Sequence, residues 1–341
     1  MHRRTLLAGL LAGALASSAA RAQAPDRTAR IGLLIPAAQP SASDRRARDE
    51  ELRSMSASFM PQRGAALTAG LREHGWIEGK NLVIETRWAG VDPQRQRELA
   101  AELAALPVAL IVTNGSTAIR AARDGAPGLP IVMINAGDPV GAGFVASLAR
   151  PGGNLTGTSA AGEEVLGKQL ELLALAAPRV KAVGVLMNAA NAANDFFFAA
   201  MVSRAARLGL QLERIEISAP EDLDRAIARA RGGALVVLAD PMFGRERLRI
   251  VDLVQRAGVP AIFGRREFVT AGGLMSFVSS DAWHWRQAAS FVDKILRGAS
   301  PANLPVEQPT AFELSINLKS ARALGLNLPK SLLMRADELI E

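Results

Sequence analysis

The residues best suited to chemistry in this sequence are small, mostly uncharged, and follow short apolar runs. Asn114-Gly115-Ser116-Thr117 comes after Ala109-Leu-Ile-Val112 and opens a segment of small residues. Backbone N–H groups and hydroxyls at a helix start suit an anion such as a carboxylate. Ser and Thr there serve equally as plain helix caps. Asp138 follows Pro130-Ile-Val-Met-Ile134, while Asn188 and Asn191 follow Ala182-Val-Gly-Val-Leu-Met187. Asp240-Pro241 follows the run from Ala234 to Leu238, and Arg265-Arg266 the run from Pro260 to Phe263. Asp240 suits a ligand amine or hydroxyl, or the cap of the next helix. Such groups belong to binding rather than to catalysis.

Composition removes much else. The 341 residues contain no cysteine, which excludes disulfides, thiolate metal sites and cysteine nucleophiles. The three histidines, His2, His74 and His284, are too few for most zinc or triad chemistry. His74 precedes Gly75 at a helix end, where the terminal dipole favours it. His284 lies between two tryptophans, and both read as structural or surface groups. Gly141-Ala-Gly143-Phe-Val-Ala146 matches a dinucleotide fingerprint only in outline, because Asn135 to Pro139 separate it from the preceding strand. No phosphate loop, H-E-x-x-H or G-x-S-x-G occurs. The reading assigns no cofactor, no metal and no catalytic residue.

The elements that must hold these groups alternate. Apolar runs at residues 30–36, 82–88, 109–112 and 130–134 read as buried parallel strands, separated by helix-like segments. The pattern then repeats: a helix with Leu166, Leu170 and Leu173 on one face leads into strands at 182–187, 211–217, 234–238 and 260–263. Two such series predict an α/β protein with two Rossmann-like lobes, parallel sheets and a cleft at the carboxyl ends of the strands. Expected bounds are residues 28–154 plus about 278–305 for the N-terminal lobe. The C-terminal lobe takes 155–277 plus about 306–341. Residues 41–60, dense in serine and charge, read as a solvated excursion or a flap over the cleft mouth.

The N-terminus reads as a leader. Arg3-Arg4 precede an apolar run from Leu6 to Ala16, and Ala20-Arg21-Ala22 fits a cleavage site, so residues 1–22 are expected to be a Sec or Tat signal peptide. The apolar run falls short of the roughly 20 residues a membrane span needs. Removing Arg3, Arg4 and Arg21 from the 40 basic residues leaves 37 against 33 acidic, a balance of +4 spread along the chain. With no basic block interleaved with aromatics, nucleic acid is not an expected partner. A periplasmic, soluble protein is expected.

Several segments are similar to one family. Leu71-Arg-Glu-His-Gly-Trp-Ile-Glu-Gly-Lys-Asn81, Gly137-Asp-Pro-Val-Gly141, Ser147 to Gly157, Leu304 to Glu313 and Leu333 to Glu338 resemble the substrate-binding proteins of ABC importers, near the tryptophan and aromatic amino acid receptors. The resemblance implies a type I periplasmic binding protein: two lobes, three hinge crossings, and a trapped solute delivered to an inner-membrane ABC permease. Its cleft residues carry over to the loop after Ile35 (Pro36), Asn114, Gly115, Ser116, Thr117, Asp138, Asn188 and Asp240. Phe277 stands where that family often has tyrosine. A monomer that binds a small carboxylate-bearing solute is the leading expectation. The alternatives are an exported α/β enzyme acting on a small acid, and a ligand receptor for a membrane sensor.

Overall fold

A computed structural model describes residues 28–37, 59–160, 162–191 and 193–341. The expected leader and residues 41–58 of the expected flap lie outside the described residues.

The first sheet has five strands in the order β2-β1-β3-β4-β5, all parallel. These are β1 (Ala29–Ile35), β2 (Leu82–Trp88), β3 (Ile111–Asn114), β4 (Ile131–Ala136) and β5 (Leu155–Ser159). The second sheet has the order β12-β11-β10-β9-β8-β6-β7. It contains β6 (Ala182–Asn188), β7 (Gln211–Ile217), β8 (Ala234–Val237), β9 (Ala261–Phe263), β10 (Met275–Ser279), β11 (Phe312–Asn317) and β12 (Glu338–Ile340). β10 and β11 pair antiparallel; the other ladders among the described residues are parallel. Strands such as Ile111–Asn114 and Ala234–Val237 are buried along their whole length, as expected for parallel sheets covered by helices on both faces.

The expected lobe boundaries shift. Residues 155–159, expected to begin the C-terminal lobe, form β5 at the edge of the first sheet. Gly157 allows the strand to fit: its φ is +133°, and a Cβ there would stand 2.1 Å from the Met133 carbonyl oxygen. The chain therefore leaves the first sheet between Ser159 and Gly162. The return is also later than expected, because Val306 and Glu307 still donate backbone bonds to Leu148 and Gly157 of the first lobe.

The helix Asp281–Leu296 follows the second sheet in sequence yet packs on the first. Its buried residues Trp285, Ala288, Ala289, Val292 and Ile295 recur at helical spacing and join a cluster with Ile31, Leu67, Leu71 and Trp76. Gly70 lets the helix Phe59–Glu73 approach closely, since a Cβ there would meet that of Ala289 at 2.8 Å. Trp76 Nε1 donates to Asp293 at 2.8 Å and fixes the rotation of the pair. Fully burying Phe291 in this cluster makes Phe291→Ala cost about 3–5 kcal/mol. Urea unfolding followed by circular dichroism measures that loss, and a loss below about 1 kcal/mol would mean that the helix is not docked there.

Candidate functional site

The carboxyl ends of both sheets wall one cavity with about 1120 Å³ of atom-free space, its open mouth included. From the first lobe come Pro36 after β1, Asn114 and Gly115 at the end of β3, and Ser116, Thr117 and Ala118 in the first turn of the helix Ser116–Gly125. Among the described residues no side chain caps that helix, so its first turn, which lines the cavity, lacks the usual hydroxyl partner for its N–H groups. Ser116 is occupied elsewhere: its Oγ accepts from the Gly137 N–H at 3.0 Å and ties the helix to the end of β4. Gly115 makes the turn with φ +81°.

From the second lobe come Asn188 and Asn191 after β6, and Asp240 after β8. Asp240 is 3% exposed and caps the short helix Pro241–Arg245, its Oδ1 accepting from the Met242 N–H at 2.9 Å. The same oxygen accepts from Asn188 Nδ2 at 3.0 Å. Oδ2 accepts a longer bond, from Asn191 Nδ2 at 3.5 Å. Burial pushes the Asp240 carboxyl above its ordinary range. Bonds from Asn188 and the Met242 N–H, the charge of Arg265 and the bond from Asn191 pull the other way.

Of the residues singled out from sequence, Pro36, Asn114, Gly115, Ser116, Thr117, Asn188 and Asp240 line the cavity. Asp138 does not. Its Oδ1 accepts from the Gly141 N–H at 2.8 Å in a turn, and Gly137 next to it reaches the wall instead. Gly141 belongs to that turn too: a Cβ there would stand 1.9 Å from Asp138 Oδ2. Arg265 also lines the wall, with an ion pair to Glu267 at 3.3 Å.

Sequence reasoning missed Gln96, Asn135, Gln169, Phe197 and Ser279 on the wall. Asn135 is the one non-glycine among the described residues with positive φ, at 52°. Asparagine tolerates that conformation, and such residues cluster at functional sites; its place just before Ala136-Gly137 was the available signal. His284 is structural rather than superficial. It is fully buried, with Nδ1 2.9 Å from Thr158 Oγ1 and Nε2 2.8 Å from Ser279 Oγ.

A family model described as ABC transporter substrate binding protein matches residues 58–340. A tyrosine-binding protein of Clostridioides difficile (strain R20291) is 25% identical over 258 residues, which is 75% of this chain and 74% of that protein. An ABC domain from Streptococcus pneumoniae solved in complex with L-Trp is 24% identical, with a TM-score of 0.81, covering 92% of this chain and 100% of that one. A conserved domain protein from Vibrio cholerae gives the same identity, TM-score and coverage. These structures have the same two-lobed α/β fold.

The buried Asp240 makes a testable link between site and stability. With its pKa raised on folding, the folded state holds the proton longer than the unfolded chain. Stability therefore falls as pH rises from the ordinary carboxylate range through the raised value. Asp240→Asn keeps a good helix cap and removes the buried charge. Without ligand it should unfold a few degrees above the parent protein at neutral pH. The gap should close on acidification, as the parent's carboxyl takes up its proton. A lower midpoint for the variant at neutral pH would mean that pairing with Arg265 outweighs burial.

Proposed function

This chain belongs to the ABC transporter substrate-binding protein family, and we propose that it traps a small carboxylate-bearing solute, amino acid-like or an aromatic acid, and delivers it to an inner-membrane permease. The observation that carries the reading is the pairing across the cavity. The uncapped first turn of Ser116–Gly125 lies in one lobe, and the buried carboxylate of Asp240 lies in the other. A helix N-terminus suits a carboxylate, and an anionic Asp suits an amine or hydroxyl. The tyrosine-binding relative and the L-Trp complex support the same ligand class. Asn114 to Thr117, Asn188 and Asp240 are the proposed ligand-contacting residues, with Pro36 on the wall. The protein acts as a monomer that binds without turnover.

A thermal-shift screen of amino acids and aromatic acids tests this reading. A solute that binds only the folded protein adds about 2.7 kcal/mol at 100 times its Kd. For domains of this size that is a rise of roughly 5–10 °C in midpoint. Asp240→Ala should weaken binding by roughly ten- to a hundredfold, since it removes a charge-assisted bond. Thr117→Ala should cost less, because the backbone N–H groups remain. For a solute amine, affinity should fall on acidification as the proton competes at Asp240. That fall begins at a higher pH than an ordinary carboxylate would give, because burial raises its pKa. Equal binding by both variants would move the site elsewhere, and steady consumption of the solute by pure protein would support an enzyme instead.

Residues 1–22 serve in this reading as a removable signal peptide that takes the protein to the periplasm. The charged, apolar and Ala-x-Ala order supports it. No helix among the described residues is long and apolar enough to cross a membrane. Intact-mass analysis of a periplasmic extract should find a chain beginning near Gln23. Exported protein that retains Met1 would rule out cleavage.

A further inference from the structure

Two glutamines on the cavity wall have a use that neither the helix turn nor Asp240 supplies. Gln96, on the helix Pro93–Ala104 of the first lobe, and Gln169, on the helix Gly162–Ala176 of the second, are each 1% exposed. Both line the cavity. Each donates its amide nitrogen to a backbone carbonyl: Gln96 Nε2 to Gly90 at 2.9 Å, and Gln169 Nε2 to Phe277 at 2.9 Å. Those bonds settle which end of each carboxamide is which, because the reverse orientation would set two carbonyl oxygens against each other. The remaining atom, Oε1, is buried and has no hydrogen-bond partner among the described residues in either case. A buried acceptor without a donor is costly, and native proteins rarely keep one without a use.

The neighbourhood of Gln169 describes what approaches it. Val165 and Leu166 precede it by four and three residues, so they share its helix face, and both line the cavity. Pro36 and Val91 accompany Gln96 on the wall. These surroundings suit a mainly apolar body that ends in a donor group.

We propose that Gln96 and Gln169 are specificity-determining residues that select a solute whose side chain carries an O–H or N–H donor on an apolar body. The proposal rests on the carboxylate-solute reading above and adds what the far end of the solute must be. Each Oε1 is buried and unpaired in the protein as it stands, and a donor on the solute supplies the missing bond. A solute of the same shape without the donor leaves the oxygen unpaired. Sites built around such a bond reject the deficient analogue far more strongly than apolar pockets reject a change of size.

Calorimetric titration of the purified full-length protein with two matched pairs provides the test. The pairs are L-tyrosine against L-phenylalanine, and L-tryptophan against 1-methyl-L-tryptophan. In the parent protein, at least one donor-bearing member should bind roughly ten- to a hundredfold more tightly than its partner. In Gln169→Met or Gln96→Met that ratio should collapse to within about threefold, with the donor-lacking member's affinity kept or improved. Both substitutions also remove the bond to the backbone carbonyl. A merely structural role would weaken both members of a pair alike and preserve the ratio. A ratio preserved in both variants, or no discrimination by the parent protein, would overturn the proposal and leave the carboxylate reading standing. If no carboxylate in a wider thermal-shift screen binds at all, the carboxylate reading fails, and this proposal falls with it.

Discussion

The structure depends on a buried imidazole that holds two of the lobe crossings together. Among the described residues the chain passes between the lobes after β5, after β10 and again through residues 304–312. Thr158 lies at the end of the first crossing strand and Ser279 at the end of the second. The His284 ring spans them, with both nitrogens at hydrogen-bond distance. Thr158 Oγ1 already accepts from the Asn135 N–H at 3.0 Å. The third crossing joins by main chain: Ser159 donates to Glu307 and Glu307 to Gly157, while Gln287 on the His284 helix holds the Glu307 carboxylate at 2.5 Å. In a low-dielectric interior a satisfied polar network is stiff, and a half-satisfied one is costly. Small errors in the hinge are therefore not tolerated by degrees.

That rigidity contrasts with what lies on either side. Each lobe has hydrophobic clusters of its own, drawn almost wholly from its own strands and helices. The cavity between them is lined by apolar side chains such as Val165, Leu166, Phe197 and Leu238 from the second lobe, interspersed with amides, hydroxyls and the buried carboxylate of Asp240. Asn135 and Ser279 line that cavity and belong to the hinge network. The pivot and the wall thus share residues. Domain closure around a few fixed hinge points is a general way for such folds to respond to ligands.

Most of the framework was legible because buried parallel strands read as continuous apolar runs and helices show their apolar face. β5 was not, since Leu155-Thr-Gly-Thr-Ser159 has one large apolar residue and three hydroxyls. It is a strand because those hydroxyls find partners where it lies: Thr156 donates to the Leu304 carbonyl at 2.7 Å, and Thr158 joins the hinge. No periodicity records such partners in advance. The strand-end residues of the site were legible through the general placement of ligands at carboxyl ends of parallel strands. Asp138 fits that rule by position, but its carboxylate serves the turn Asp138 to Gly141. Gln96 and Gln169 were invisible, being mid-helix residues whose significance depends on which faces the two lobes turn toward each other.

The separation of polar groups between lobes also limits what the cavity can do. A ligand shifts an equilibrium between open and closed forms only by binding one of them better. A solute held by the first lobe alone would bind both forms alike and signal nothing to a permease. On the proposed reading, Asp240 and Gln169 lie in one lobe, and the Ser116 helix turn and Gln96 in the other. Part of the affinity is then available only when the lobes meet. The burial that raises the Asp240 pKa costs stability in the ligand-free protein, and a cationic group on the solute would offset that cost on closure. The unpaired oxygens of the two glutamines follow the same logic. Each is a small cost of the empty site that the right solute removes, so recognition and closure draw on the same contacts.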